Sequence, residues 1–148
     1  MAFRIPLSLA SSYNQTRERI EWLARLPAAV ECLKNRWPLT IGIPFEEASC
    51  AWVAPVKCAN GSPAVLKVSM PHMEGKHEAQ GLRFWNGEPT VRLIDSEEEL
   101  GAMLLERCEP GTSLRSLPAC KQDVVITSLL RRLWRSRLLH IHFALFQR

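Results

Sequence analysis

The 148-residue chain has no apolar run long enough to span a bilayer. The longest run in its tail, Leu138 to Phe146, is broken by His140 and His142 and falls well short of the ~20 residues a helical span requires. It also lacks any Cys-x-x-Cys unit, which speaks against structural zinc. The five cysteines, Cys32, Cys50, Cys58, Cys108 and Cys120, are an odd number without close pairing, so reduced thiols in a cytoplasmic protein are expected rather than a disulfide framework. No targeting segment is expected from the opening residues, because the apolar stretch after Arg4 is short and contains Pro6. Internal repeats and low-complexity segments are absent. So are acidic residues after Asp123, which leaves Arg131, Arg132, Arg135, Arg137 and Arg148 unopposed and makes the formal charge of +4 a local asymmetry. A charge so modest predicts neither a nucleic-acid nor a membrane partner.

What is present organises as α+β. Gln15 to Arg36 places Ile20, Leu23, Leu26, Val30 and Leu33 at helical spacing, with Pro27 splitting or kinking the run, and this helical segment is expected on the outside of the lobe. Leu39 to Phe45, Cys50 to Lys57 and Pro63 to Met70 read as three strands, the last two joined by a turn at Ala59-Asn60-Gly61. A helix follows over Met73 to Trp85, stopped by Asn86-Gly87. Thr90 to Asp95 and Leu100 to Cys108 complete five antiparallel strands, and Lys121 to Trp134 returns to helix.

Within the third strand, Ala64-Val65-Leu66-Lys67-Val68, a lysine interrupts an apolar run. A buried ammonium needs a counter-charge or loses its proton. Glu78 supplies one, since Glu78, Leu82 and Trp85 share the inward stripe of the next helix, and Gly81 is expected to let that face approach closely. A strand lysine held by a helix glutamate is how protein kinases grip the phosphates of ATP, and Val65, two residues before Lys67, shares its face and is placed to lie against adenine. The alternative is a solvated lysine on an edge strand.

Phe3-Arg4-Ile5-Pro6-Leu7, Trp22-Leu23-Ala24-Arg25-Leu26-Pro27, Ala48 to Pro55, Pro63 to Val68, His77 to Trp85 and Leu105 to Gly111 occur in order. Together they resemble the aminoglycoside/hydroxyurea antibiotic resistance kinase family, of the streptomycin 6-phosphotransferase type, from the N-terminus to about Trp134. The resemblance implies the N-terminal lobe of a protein-kinase-like fold, ATP with Mg²⁺ as cofactors, and transfer of the γ-phosphate to a hydroxyl of an aminoglycoside such as streptomycin. It implies that Lys67, oriented by Glu78, holds phosphates. It also places backbone groups of Glu106 and Cys108 in the hinge that meets adenine, with Cys108 as a small packed residue. The loop Glu46-Glu47-Ala48-Ser49-Cys50 would cover the phosphates. It has no glycine, Ser49 is its candidate donor, and Glu46 and Glu47 bring like charge that would weaken the nucleotide.

The resemblance also implies groups that this sequence does not supply. A catalytic base and Mg²⁺ ligands come from the second lobe in such folds, and no His-Gly-Asp loop or later metal-binding aspartate follows Asp123. The expected organisation is therefore a helical segment (1–37), a kinase-like lobe (38–109), a hinge exit with the first helix of a truncated second lobe (110–134) and a non-family tail (135–148), inactive by itself. The alternative is a non-catalytic module in which Lys67 and Glu78 are a structural pair and the arginine-rich end engages an acidic partner.

Overall fold

The hairpin of β2 (Ala51–Cys58) and β3 (Pro63–Ser69) organises the sheet, because its turn is chemically specified. Asn60 Oδ1 accepts from the Ser62 N–H at 3.0 Å, and Gly61, at φ +82°, donates its N–H to the Cys58 carbonyl at 2.8 Å. β1 (Leu39–Ile41) pairs with β2, β5 (Ala102–Glu106) with β3, and β4 (Leu93–Glu97) with β5, all antiparallel, in the order β1-β2-β3-β5-β4. These elements come from a computed structural model, which describes residues 3–11, 16–70 and 73–145, and their side chains other than those of 73–76 and 135–145.

Alternation divides the sheet into two faces. On one, Trp52, Ala54 and Val56 of β2, Ala64, Leu66 and Val68 of β3, and Ala102 and Leu104 of β5 are buried. They form one core with Leu9 of α1 (Leu7–Ala10) and Trp22, Leu26, Val30 and Leu33 of α2 (Arg17–Arg36). Burial of each such large side chain stabilises by about 1.5–3 kcal/mol, so α2 is part of the lobe's own core rather than an outer segment. Ile20, expected among its inward residues, is exposed, and Trp22 takes the buried position. Phe3 stacks on Trp52 with ring centroids 5.4 Å apart, and the Trp52 indole donates to the Arg4 carbonyl at 3.0 Å.

On the opposite face Met103 and Leu105 pack with Ala79 of α3 (Met73–Trp85), flanked by Val65, Leu82, Val91 and Leu93. α3 ends as its sequence predicts: the Asn86 N–H donates to the Leu82 carbonyl at 2.9 Å, and Asn86 and Gly87 have φ of +45° and +83°. Gly81 does not serve the close approach expected of it, since a Cβ there would meet nothing within 4 Å.

Two other expectations are corrected. Pro27 does not divide α2, which runs unbroken from Arg17 to Arg36 with the proline inside. Four buried apolar residues fix the helix to the core on both sides of it, and tertiary packing overrides the local penalty. Because Pro27 is exposed, and a proline inside a helix removes a hydrogen-bond donor and crowds the carbonyl four residues back, Pro27→Ala is expected to stabilise the chain by about 1–2 kcal/mol, read as a raised denaturant midpoint at constant slope. The fourth strand begins at Leu93, three residues later than expected, with a register irregularity between Leu93 and Asp95.

The chain divides into two compact units, Met1–Arg107 and Cys108–Arg148. The second contains a 3₁₀ turn, Leu114–Ser116, capped by Ser113, and α4 (Ala119–Leu145). The Gln122 side chain donates to the Leu117 carbonyl at 2.7 Å and ties the helix start to that turn. A groove of about 490 Å³ along α4 is lined by Asp123, Val124, Thr127, Ser128, Arg131 and Arg132. Expectations for the tail side chains, His140 and His142 included, fall outside the described side chains. Among the described residues no helix is long and apolar enough to cross a membrane.

Candidate functional site

β3 is the middle strand of five, so Lys67 is not an edge-strand lysine. It faces Val53 across the β2 pairing and Met103 across the β5 pairing, and residues directly opposite in antiparallel strands project to the same face. That face carries α3. Lys67 Nζ lies 2.5 Å from Glu78 Oε1, forming the expected ion pair between strand and helix.

The pair is neither sealed nor freely solvated. The Lys67 side chain is 25% exposed and that of Glu78 38%. Water therefore reaches both groups, which moderates the desolvation cost and leaves Nζ accessible to an anion. Ala79, one position beyond Glu78, is the described α3 residue that packs deepest against Met103 and Leu105. The glutamate thus stands at the margin of an apolar contact that fixes its helix. Arg83 adds hydrogen bonds from α3 to Glu98 and to the Ser96 hydroxyl, the former at 3.4 Å.

Val65 lies two residues before Lys67 on the same face and is half-buried. Val53, which the sequence pattern did not single out, completes an apolar strip beside the lysine. Its signal was present in β2 as alternation with Trp52 and Ala54, but the register that brings it opposite Lys67 depends on the Asn60-Gly61 turn.

The loop between β1 and β2 is held more tightly than its polar sequence implies. Gly42 donates to the Pro55 carbonyl at 2.8 Å and Phe45 to the Val53 carbonyl at 2.9 Å, so pairing continues beyond Ile41. At Gly42 a Cβ would lie 3.0 Å from the Pro55 oxygen, and only glycine allows this approach without displacement. The Glu46 carboxylate does not stand unopposed, contrary to expectation. Arg4 Nη2 lies 2.6 Å from Oε1 and the Leu7 N–H donates to Oε2 at 3.2 Å. Ser49 is exposed, with its hydroxyl 3.6 Å from Cys50 Sγ.

Glu106 ends β5, opposite Ala64 of β3. Its backbone N–H donates to the Arg92 carbonyl at 3.0 Å, and its carboxylate accepts the Arg92 N–H at 2.7 Å, so the side chain fastens the chain entering β4. Cys108 opens the second unit and is exposed, not packed as expected, because the strand pairing that would cover it stops at Glu106. No group of three or more His, Cys, Asp or Glu that would hold a metal ion occurs among the described residues.

Residues 36–140 match the model of a family described as aminoglycoside/hydroxyurea antibiotic resistance kinase, a match that extends beyond Trp134 into the segment expected to be a non-family tail. The chain is 39% identical over 132 residues to a streptomycin 6-kinase of Streptomyces glaucescens, an alignment covering 87% of this chain and 43% of that protein. A streptomycin 6-kinase of Streptomyces griseus is 37% identical over the same shares, and a hydroxyurea phosphotransferase of Kitasatospora aureofaciens is 35% identical over 76% of this chain and 34% of its own. The chain thus spans less than half the length of these relatives. No solved structure matches it.

Proposed function

The chain belongs to the aminoglycoside/hydroxyurea antibiotic resistance kinase family, and from that membership we propose that residues 38–109 are a kinase-like N-terminal lobe that binds ATP for phosphoryl transfer to an aminoglycoside hydroxyl, with streptomycin the first substrate to test. The observation that carries the proposal is the Lys67–Glu78 contact on the middle strand, 2.5 Å long and open to solvent. An ammonium so held has one carboxylate partner and two further N–H donors for phosphate oxygens. Glu78 limits its rotation, which lowers the entropy lost when a phosphate is gripped.

Val53 and Val65 would take the adenine face, and backbone groups of Glu106 and Cys108 its edge. The Glu106 N–H is engaged by Arg92, which leaves the carbonyl as that residue's contribution. ATP would supply the transferable phosphoryl group; the residues of this chain bind and orient it. For Mg²⁺ the described residues offer no cluster of three or more His, Cys, Asp or Glu ligands. The second lobe that would carry base and acceptor site is a further part of the proposal, and relatives more than twice as long are what support it. Titration of the chain with a non-hydrolysable ATP analogue tests the nucleotide reading: saturable binding displaced by ATP is expected, and absence of binding at millimolar analogue would refute it.

A further inference from the structure

The loop from Glu46 to Ser49 uses its carbonyls more than its N–H groups. Ser8 Oγ shares its single proton between two acceptors in reach, the Glu46 carbonyl and, at 3.0 Å, the Ala48 carbonyl. The Ser49 carbonyl accepts from Arg19 Nη2 at 3.0 Å, and the same nitrogen donates to the Leu9 carbonyl at 2.7 Å. Glu46 and Glu47 form a hydrogen-bonded turn that engages the Ala48 N–H, whereas the N–H groups of Glu47 and Ser49 donate no hydrogen bond among the described residues. Peptide groups whose oxygens are drawn to one side direct their hydrogens to the other, and neighbouring unengaged N–H groups form a concavity for anions. The Glu46 and Ala48 oxygens are held toward Ser8, so the N–H groups of Glu47 and Ser49, which share those planar peptide units, point away from it, in a loop without glycine.

The donors responsible come from the N-terminal segment and α2, far from the loop in sequence. Arg19 is 4% exposed, and its Nε has no partner among the described residues. Burying a guanidinium with an unsatisfied nitrogen is costly, so the position is held by what its other nitrogen orders. Arg4 compensates the Glu46 charge on the same side, which leaves the exposed Glu47 as the loop's remaining carboxylate near an incoming phosphate.

We propose that Ser8 and Arg19 are positioning residues that draw back the carbonyls of Glu46, Ala48 and Ser49 and thereby present the N–H groups of Glu47 and Ser49 to the triphosphate of the nucleotide. The proposal rests on the ATP-binding reading above and adds to it a division of labour: α3 orders the lysine, and the N-terminal segment orders the loop.

Ser8→Ala is the informative variant, because it deletes one half-buried hydroxyl and leaves the Arg19 contacts in the core intact. Calorimetric titration of the full chain is expected to show the non-hydrolysable ATP analogue bound about three- to tenfold more weakly, as for loss of one or two hydrogen bonds, with adenosine affinity unchanged and Ser8→Thr close to the unaltered chain. Equal loss for adenosine and the triphosphate, or no loss for either, would overturn the proposal. Amide hydrogen exchange on the ligand-free chain separates this from the nucleotide reading itself. Ser8→Ala should speed exchange at residues 46–49 and leave β3 protected, and unchanged exchange there would overturn the positioning role even if ATP binds. Binding by neither the variant nor the unaltered chain, with faster loop exchange in the variant, would refute the nucleotide reading and with it the purpose assigned to the loop.

Discussion

Replacing Lys67 with methionine is expected to lower the affinity for an ATP analogue by roughly 10- to 100-fold, the equivalent of about 1.5–3 kcal/mol for hydrogen bonds to a charged group. Methionine matches the length and apolar stem of lysine, so contacts with Val53 and Met103 across the pairings are kept while the charge is lost. Stability should move little. Glu78 is left without its partner but is 38% exposed, and water can solvate the freed carboxylate. A variant that melts normally yet fails to bind would separate ligand recognition from folding. Unchanged analogue affinity would leave Lys67–Glu78 as a structural ion pair, the role it has in the non-catalytic alternative. Adenosine provides the internal control, because a lysine that grips phosphates contributes nothing to a nucleoside.

The parts of the lobe that were legible in the sequence are those whose causes are local. The β2–β3 hairpin follows from alternation and one turn with a φ-positive glycine, and α3 from a period-3.6 stripe with an Asn-Gly stop. Lys67 and Glu78 were found because a charge in an apolar strand demands a partner, and the next helix offered a carboxylate at the right phase. β4 was misplaced for the opposite reason. It is an edge strand carrying Asp95, Ser96 and Glu97, and its half-exposed residues leave no alternation to read.

The loop chemistry was out of reach for a different reason. Ser8 and Arg19 contact residues 30 to 40 positions away, and nothing in a helix-forming run marks one arginine among Arg17, Arg19 and Arg25 as the buried one. Glu46 illustrates how sign can reverse with context. Alone in the sequence it is repulsive to phosphate, whereas beside Arg4 and the Leu7 N–H its charge is spent on fastening the N-terminal segment. The same tertiary contacts explain why α2 belongs to the core: Leu26 and Leu33 pack with the face of the sheet opposite Lys67, so the helix supports the strand on which the lysine stands.

The 148-residue polypeptide, assayed alone with ATP, Mg²⁺ and streptomycin, is expected to form no phosphorylated product and to give a susceptible strain no protection. Phosphoryl transfer needs a carboxylate at the acceptor hydroxyl and anionic ligands for the metal, acting together with the lysine. Six carboxylates near the sheet are already engaged, Glu46 with Arg4, Glu78 with Lys67, Asp95 with the Trp37 indole, Glu97 with Arg36, Glu98 with Arg83 and Glu106 with the Arg92 N–H, and Glu47 and Glu99 are solvent-exposed on the connecting loops. Asp123 lies on α4, and no acidic residue follows it in the sequence. Product above a no-protein control that disappears in Lys67→Met would overturn this expectation and point to an acceptor site within these residues. If the chain is silent but binds the ATP analogue, supplying the C-terminal part of a streptomycin 6-kinase in trans becomes the decisive assay. Recovery of turnover would show that a lobe ordered by Glu78, Ser8 and Arg19 is competent for chemistry and that what it requires from elsewhere is the acceptor side of the reaction.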